Sequence, residues 1–390
     1  MDRRGRRARR LRRDACRGAG LFPPLVESES RLFPPRVAAQ VRFLAVLTVR
    51  DEAAFLLEWL AHHRAVGFTD FLILSNDCSD GTDAMLDRLA EMGLCTHLRN
   101  DGPYDKGGIQ FTGLKRASRH PLVQEADWIM AFDIDEFVNI HAGDHTLPAL
   151  LAALPEATAI TLTWRLFGSN DQPRFEDAPV TRRFTRAAPA VMHWPWRAAM
   201  FKTLFKNNGL YGKLGVHRPR QPVKERLDEA RWFDGEGREL GAQFKTRRLF
   251  SNFGRSNTAL AQLNHYAVGD MESFIVKAAR GRAVHAEHSL DVDYWVERNY
   301  NTDEDSSILA LDTPFRDELA RLRADSRLAE LHEAAVHWRK ARFAELLLQE
   351  PYRALYGRLL QTPPSRPVPQ GVARSLVAAG MQARATAQEL

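Results

Sequence analysis

Cysteine is almost missing from this chain, with only Cys16, Cys78 and Cys95 among 390 residues. So few, spaced so widely, give neither a disulfide framework nor a cysteine zinc site, and a reducing, cytoplasmic setting is expected. Long apolar runs are missing too. No stretch reaches the roughly 18 consecutive apolar residues that a membrane-spanning helix needs, and the basic start lacks the apolar core of a secretory signal, so none is expected. Acidic and aromatic residues are scarce at the start, where residues 1–17 hold nine arginines against Asp2 and Asp14. The formal net charge is +6, so the rest of the chain is close to neutral. Arginines without interleaved aromatics give phosphate affinity but no base stacking. A specific nucleic-acid reader is therefore not expected, whereas contact with an anionic membrane face is compatible with such a segment.

What is present is globular. Hydrophobic residues make up 44% and charged residues 27%, which excludes wholesale disorder and coiled-coil or collagen-like architecture. Pro23-Pro24 and Pro34-Pro35 make residues 1–40 a basic, proline-rich disordered segment. Order is expected from Phe43 to Val49, an apolar run of the kind a doubly buried strand shows. Asp51 then stands at a helix N-cap position, and Phe55, Leu56, Trp59, Leu60 and His63 recur at helical spacing up to Gly67. A strand at 71–74, a polar turn at 75–82, a helix closed by Gly93, a strand at 94–98, a helix at 109–118 and a strand at 128–132 follow. Such alternation predicts an α/β fold with a mostly parallel sheet flanked by helices.

Ligands of such sheets bind beyond the carboxyl ends of the strands. Three polar clusters fall there: Arg50-Asp51-Glu52, the 75–82 turn and Asp133-Ile134-Asp135-Glu136. Two aspartates one residue apart at a strand end either cap the following turn or face one hard cation, which oxygen ligands suit. Farther on, strands are expected at 159–167, 202–206 and 263–268, with a helix at 271–280 and mostly helix from 314 to 360. A proline-rich spacer and flexible tail fill 361–390.

Val49-Arg50-Asp51-Glu52, the helix with Glu58-Trp59 and His63, and Ser75-Asn76-Asp77-Cys78-Ser79-Asp80-Gly81-Thr82 resemble the opening of family-2-like glycosyltransferases with a GT-A fold. Asn76 replaces the first acid of their acidic turn. Asp133-Ile134-Asp135-Glu136-Phe137 is similar to the D-x-D of the branch that includes the family formerly called domain of unknown function 23. Lys202-Thr203-Leu204-Phe205, Gly215-Val216-His217-Arg218-Pro219 and Asn264-His265-Tyr266 with Phe274 and Lys277 also fit that branch. The resemblance implies a single GT-A-type nucleotide-binding domain over 41–300, with 301–360 as a helical extension. It implies transfer of a sugar from a nucleotide-diphosphate donor to a hydroxyl of a glycan or glycolipid, assisted by Mn2+ or Mg2+.

By the same resemblance, Asp51 or Glu52 and Asp77 lie around base and ribose, with Arg50, Asn76 and Asp80 in the donor turns. Asp133 lies near ribose and metal, Asp135 binds the metal, and His265 is the third ligand, with His217 competing for that role or facing the acceptor. Lys202, Arg197 or Lys206 meets the diphosphate. Inverting transfer needs a base beside the acceptor hydroxyl. Asp177 is the nominal choice, with Glu176, His217 and the run Asp303-Glu304-Asp305 as alternatives. Two other readings remain. A haloacid-dehalogenase-like phosphohydrolase also ends an apolar strand in D-x-D, but the fifth position there is Thr or Val, not Phe137. A non-catalytic anion binder would act through the arginine-rich start.

Overall fold

In the computed structural model, which describes residues 41–104, 107–281 and 290–388, the run Phe43–Val49 forms β1. The expected disordered segment 1–40 and its arginines lie outside the described residues. Phe43, Ala45, Leu47 and Val49 enter one apolar cluster, while Leu44 and Val46 enter a second on the opposite face. A strand buried on both sides needs cover above and below the sheet. The chain provides it as α1 (Ala53–Val66), β2 (Asp70–Ser75), α2 (Thr82–Glu91), β3 (Thr96–Arg99), α3 (Gly108–Ala117), α4 (Pro121–Glu125) and β4 (Trp128–Phe132). The order across the sheet is β3-β2-β1-β4, all parallel. Leu56 of α1 and Met85 of α2 enter the first cluster, and Leu114 of α3 enters the second. The covering face therefore changes between β1 and β4, a topological switch point that opens a crevice at the strand ends.

The second half is mixed. It runs β5 (Glu136–Ile140), α5 (Leu147–Ala153), β6 (Ala159–Leu166), α6 (Val180–Arg183), β7 (Arg186–Ala187) and β8 (Phe201–Lys206). Then come β9 (Tyr211–Lys213), β10 (Arg220–Pro222), β11 (Trp232–Asp234), α7 (Ala242–Thr246), β12 (Ala261–His265), α8 (Met271–Arg280), α9 (Val292–Val296) and β13 (Asp303–Glu304). The sheet continues from β4 through β8, β6 and β12 to β5, with β11 also beside β6. β8 is antiparallel to β4 and β6, and β12 is antiparallel to β5, whereas β6 is parallel to both β12 and β11. Parallel pairings predominate, as expected. β5 has no counterpart in the sequence reading. Its five residues are all buried, so no alternation marks them.

The C-terminal region is helical, as expected. Helices α10 (Asp312–Arg323), α11 (Ser326–Leu347) and α12 (Glu350–Gln361) form there, but residues 41–390 make one compact unit with no division at 300. Phe315, Leu319, Leu322, Leu328 and Ala335 belong to the same apolar cluster as β1 and α1. The reason lies in α1, which buries Leu56, Leu57, Trp59, Leu60 and Ala61 completely. A helix buried nearly all round needs partners on its outer side as well. After the proline spacer, where a flexible tail is expected, α13 spans Gln370–Gln388, a stretch rich in the helix formers Ala, Arg and Gln. No described helix is long and apolar enough to cross a membrane.

Candidate functional site

β2, β1 and β4 end side by side, since Val49 pairs with Ser75 and Leu47 with Phe132. The three polar segments therefore meet. Asp51 takes a left-handed φ of 49°, and its Oδ1 accepts the Ser79 amide at 2.6 Å and the Ser79 hydroxyl at 3.0 Å. That conformation is unfavourable for a non-glycine residue, and these bonds hold it. Asp80 reaches back from the neighbouring turn. Its Oδ2 accepts the Ala53 amide at 2.8 Å, and its Oδ1 accepts the amide and hydroxyl of Thr82 at 2.9 and 2.6 Å. The start of α1 is thus capped by Asp80 rather than by Asp51, the expected cap. Burial pushes the Asp80 carboxyl upward in pKa, partly offset by these bonds.

Asn76 is equally committed, donating to the Val49 and Leu74 carbonyls and accepting from Asn100 at 2.6 Å. Asp77, with φ 46°, accepts the Gly102 amide at 3.2 Å and the Tyr104 hydroxyl. Arg50, Glu52 and Asn76 line an open cleft of about 630 Å³, and Asp51, Asp77 and Asp80 do not. These three aspartates, expected around the donor, build the turns instead. Glu52 is clamped between Arg280 at 2.5 Å and Arg339 of α11 at 3.5 Å. The Arg339 guanidinium also lies 4.4 Å over the Phe55 ring.

Asp133 and Asp135 line the same cleft. Lys202 of β8, only 1% exposed, donates to Asp133 Oδ2 at 2.9 Å and lies 3.2 Å from Glu136 Oε2. Gln110 of α3 donates to Asp133 Oδ1 at 2.7 Å. Glu136 accepts the Asp133 amide at 2.9 Å and the Trp164 indole N–H at 2.8 Å. Burial pushes Glu136 up to about 8 against the pull of Lys202. Burial also opposes ionisation of Asp133, but Lys202 outweighs it and the carboxyl lies below its ordinary range. Asp135 accepts from Lys277 of α8 at 2.6 Å. Despite burial, the Lys277 charge above all, with the His265 ring beside it, holds it well below that range. Each D-x-D carboxylate is therefore ionised and carries its own lysine.

Asp135 Oδ1 faces His265 Nε2 across 3.7 Å, and His265 Nδ1 is buried with no hydrogen-bond partner. Burial lowers the imidazole pKa, so the ring is neutral, as a ligand must be. This carboxylate–imidazole pair fits one hard divalent ion. Asp133 does not join it, being turned to Lys202 and Gln110. Among the described residues no three Asp, Glu, His or Cys side chains gather as a metal site. All three residues of the expected set, Asp133, Asp135 and His265, line the one cleft.

His217 lines the cleft beside Trp164, whose indole packs 5.7 Å from it and 4.2 Å from His265 between ring centroids. Its Nδ1 lies 3.0 Å from the Phe201 carbonyl. A carbonyl only accepts, so Nδ1 carries the proton and Nε2 keeps a lone pair. Burial, and then the Lys202 charge, lower the imidazole to about 4.

Asp177 is elsewhere. It accepts from His332 at 2.9 Å and Arg323 at 3.1 Å on the C-terminal helices, because the segment after β6 is drawn over α1. There Glu58 accepts the Val180 and Thr181 amides at 2.9 and 3.2 Å. Glu176 is exposed, and Asp303 and Asp305 pair with Arg165. None of these lines the cleft. Of the expected diphosphate contacts, Arg197 lines it, Lys202 is buried behind Asp133, and Lys206 pairs with Trp128 at the opposite end of β4. Glu136 and Lys277 were named from the sequence without a role of their own, and nothing in it singled out Gln110, Trp164, Arg280 or Arg298. Lys277 and Arg280 carried a faint signal: two cations three residues apart at the end of a helix share a face.

No protein-family model and no curated protein matches the chain. Among solved structures it is similar to glucosyl-3-phosphoglycerate synthase from Mycobacterium tuberculosis in complex with Mn2+, uridine diphosphate and glucosyl-3-phosphoglycerate, at 17% identity and a TM-score of 0.24. That overlap covers 33% of this chain and 45% of the synthase, so the chain spans less than half of the synthase's length. It is also similar to S. aureus TarS 1-349 in complex with UDP-GlcNAc, at 11% identity over 82% of this chain and 92% of TarS, with a TM-score of 0.32. Superpositions this loose carry no weight for function, which has to be read from the cleft and its side chains.

Proposed function

We propose that this chain is a GT-A-type glycosyltransferase, moving a sugar from a nucleoside-diphosphate donor to a hydroxyl of a glycan or glycolipid with inversion. The observation that carries the reading is the meeting of three parallel strand ends at a switch point, with an ionised D-x-D facing a cleft that also holds a neutral histidine. Arg50, Glu52 and Asn76 line the end where the nucleoside sits. Clamped by two arginines, Glu52 is fixed to accept bonds from base or ribose. Gln110 and Lys202 hold the Asp133 carboxylate still beside the ribose hydroxyls. Asp135 and His265 would hold Mn2+ or Mg2+, which would neutralise the diphosphate charge. Lys277, on the same carboxylate, adds a second positive charge beside the departing diphosphate.

His217 is the base of this reaction. As the acceptor oxygen bonds to the anomeric carbon and the carbon–phosphate-oxygen bond breaks, the hydroxyl proton passes to Nε2. The Phe201 carbonyl keeps the Nδ1 proton throughout, and Asp133 stabilises the imidazolium that forms.

The test is a thermal-shift screen of UDP-, GDP- and CDP-sugars with and without MnCl2. A donor at about 100 times its dissociation constant adds about 2.7 kcal/mol of stability. Asp135→Asn is expected to stay folded and lose the manganese-dependent part of the shift. His217→Gln is expected to keep the shift and lose turnover by about 100-fold or more. Turnover by Asp135→Asn at the parent rate sinks the metal assignment, and no shift with any sugar nucleotide sinks the transferase reading.

A further inference from the structure

A second charge system lines the cleft beyond the D-x-D. The Arg298 side chain is only 8% exposed and stacks 3.7 Å over the Tyr294 ring. Its Nη1 donates to the Tyr294 carbonyl at 3.2 Å and to Glu297 Oε2 at 3.1 Å. Its Nε and Nη2 donate to no described residue. Arg197 lies 4.7 Å over the Trp196 ring, and its Nη1 donates to both Glu297 oxygens, at 3.2 and 3.1 Å. Among the described residues the two guanidiniums share one carboxylate, which leaves a surplus positive charge. Both arginines line the cleft together with Trp164, Trp196 and Tyr294.

We propose that Arg298 and Arg197 form an oxyanion subsite for the acceptor, so that the chain glycosylates a polyol or sugar bearing a phosphate or carboxylate. The proposal rests on the transfer reading. Under that reading the donor diphosphate is served by Asp135, His265 and Lys277, which leaves the surplus charge of this pair unassigned. A buried guanidinium braced on an aromatic ring, with two N–H edges given to no described residue, suits a planar or tetrahedral oxyanion. Trp164, Trp196 and Tyr294 also line the cleft, and aromatic walls suit the apolar side of a sugar or polyol. Bare charge on the surface would attract any anion, whereas this arrangement fixes both its depth and its orientation.

Calorimetric titration of the full chain with sn-glycerol 3-phosphate and with D-glucuronate decides the matter, each with and without saturating UDP (or the diphosphate selected by the screen). At least one probe is expected to bind the free protein, and to bind the nucleotide-loaded protein with affinity unchanged within about threefold. Arg298→Met and Arg197→Met are expected to weaken it about tenfold or more, the scale of a lost charge-assisted bond, while nucleotide affinity stays within about twofold. Arg197 is on the rim and its replacement leaves the fold intact; Arg298→Lys keeps the buried charge if Arg298→Met is unstable. Absence of binding by both probes, or unchanged binding by the variants, overturns the subsite. Displacement of the probe by the nucleotide also overturns it and gives the arginines to the donor diphosphate. Should no nucleotide bind at all, the transfer reading fails, while the titrations of free protein still decide whether the oxyanion site exists.

Discussion

Asp51, Asp77 and Asp80 accept hydrogen bonds from amides and hydroxyls of neighbouring turns, whereas Asp133 and Asp135 are held by ammonium groups 69 and 142 residues farther along the chain. All five are aspartates just beyond the carboxyl end of a parallel strand. The first group closes its own loops and is used up in doing so. The second stays ionised and open to the cleft, because the partners that balance it arrive only when β8 and α8 have been placed. A strand-end acid can therefore be framework or chemistry, and the origin of its partners separates the two.

Removing a partner on the cleft side should do the most damage. Lys202→Met strands the Asp133 carboxylate against buried Glu136, and is expected to cost about 3–5 kcal/mol in urea unfolding. A loss under about 1 kcal/mol would show that the lysine does not balance that charge. On the framework side, Asp80→Ala removes the cap of α1 and is expected to cost about 1–2 kcal/mol. A far larger fall in donor affinity than in stability would move Asp80 from framework to chemistry. The smallest effect is expected at Asp177→Ala, which breaks a half-exposed pairing worth about 1 kcal/mol at most and should leave turnover at the parent rate. Loss of turnover beyond about tenfold would restore Asp177 as the base.

The first half of the fold was legible because its signals are local: apolar runs of five to seven residues, glycine stops and polar turns. The meeting of Val49, Ser75 and Phe132 followed from that alternation alone. β5 was illegible because a strand buried on both faces leaves no alternation, and it follows the D-x-D without a turn signal. The need for cover on α1 was written into its sequence, since Leu56, Leu57, Trp59, Leu60 and Ala61 spread apolar surface beyond a single stripe, but not which later segment would supply it. Within the site, the D-x-D itself could be read, whereas the choice between Asp177 and His217 could not. It depends on Glu58 pulling the segment at 177–181 over α1, and on the Phe201 carbonyl setting a tautomer.

The clamp of Arg339 on Glu52 bears on how this molecule can be divided or extended. A boundary drawn after residue 300, where the α/β pattern ends, would remove the roof of α1 and one of the two arginines that fix a cleft residue. Fusion partners, tags or inserted domains placed between 300 and 330 would meet the same obstacle. Even past Thr362-Pro363-Pro364 the chain stays attached, since the Ser365 amide donates to the Asn299 carbonyl at 2.8 Å and its hydroxyl to the Val296 carbonyl at 2.5 Å. In modular terms the helices belong to the same unit as the cleft, and any exchange of segments would have to carry them along.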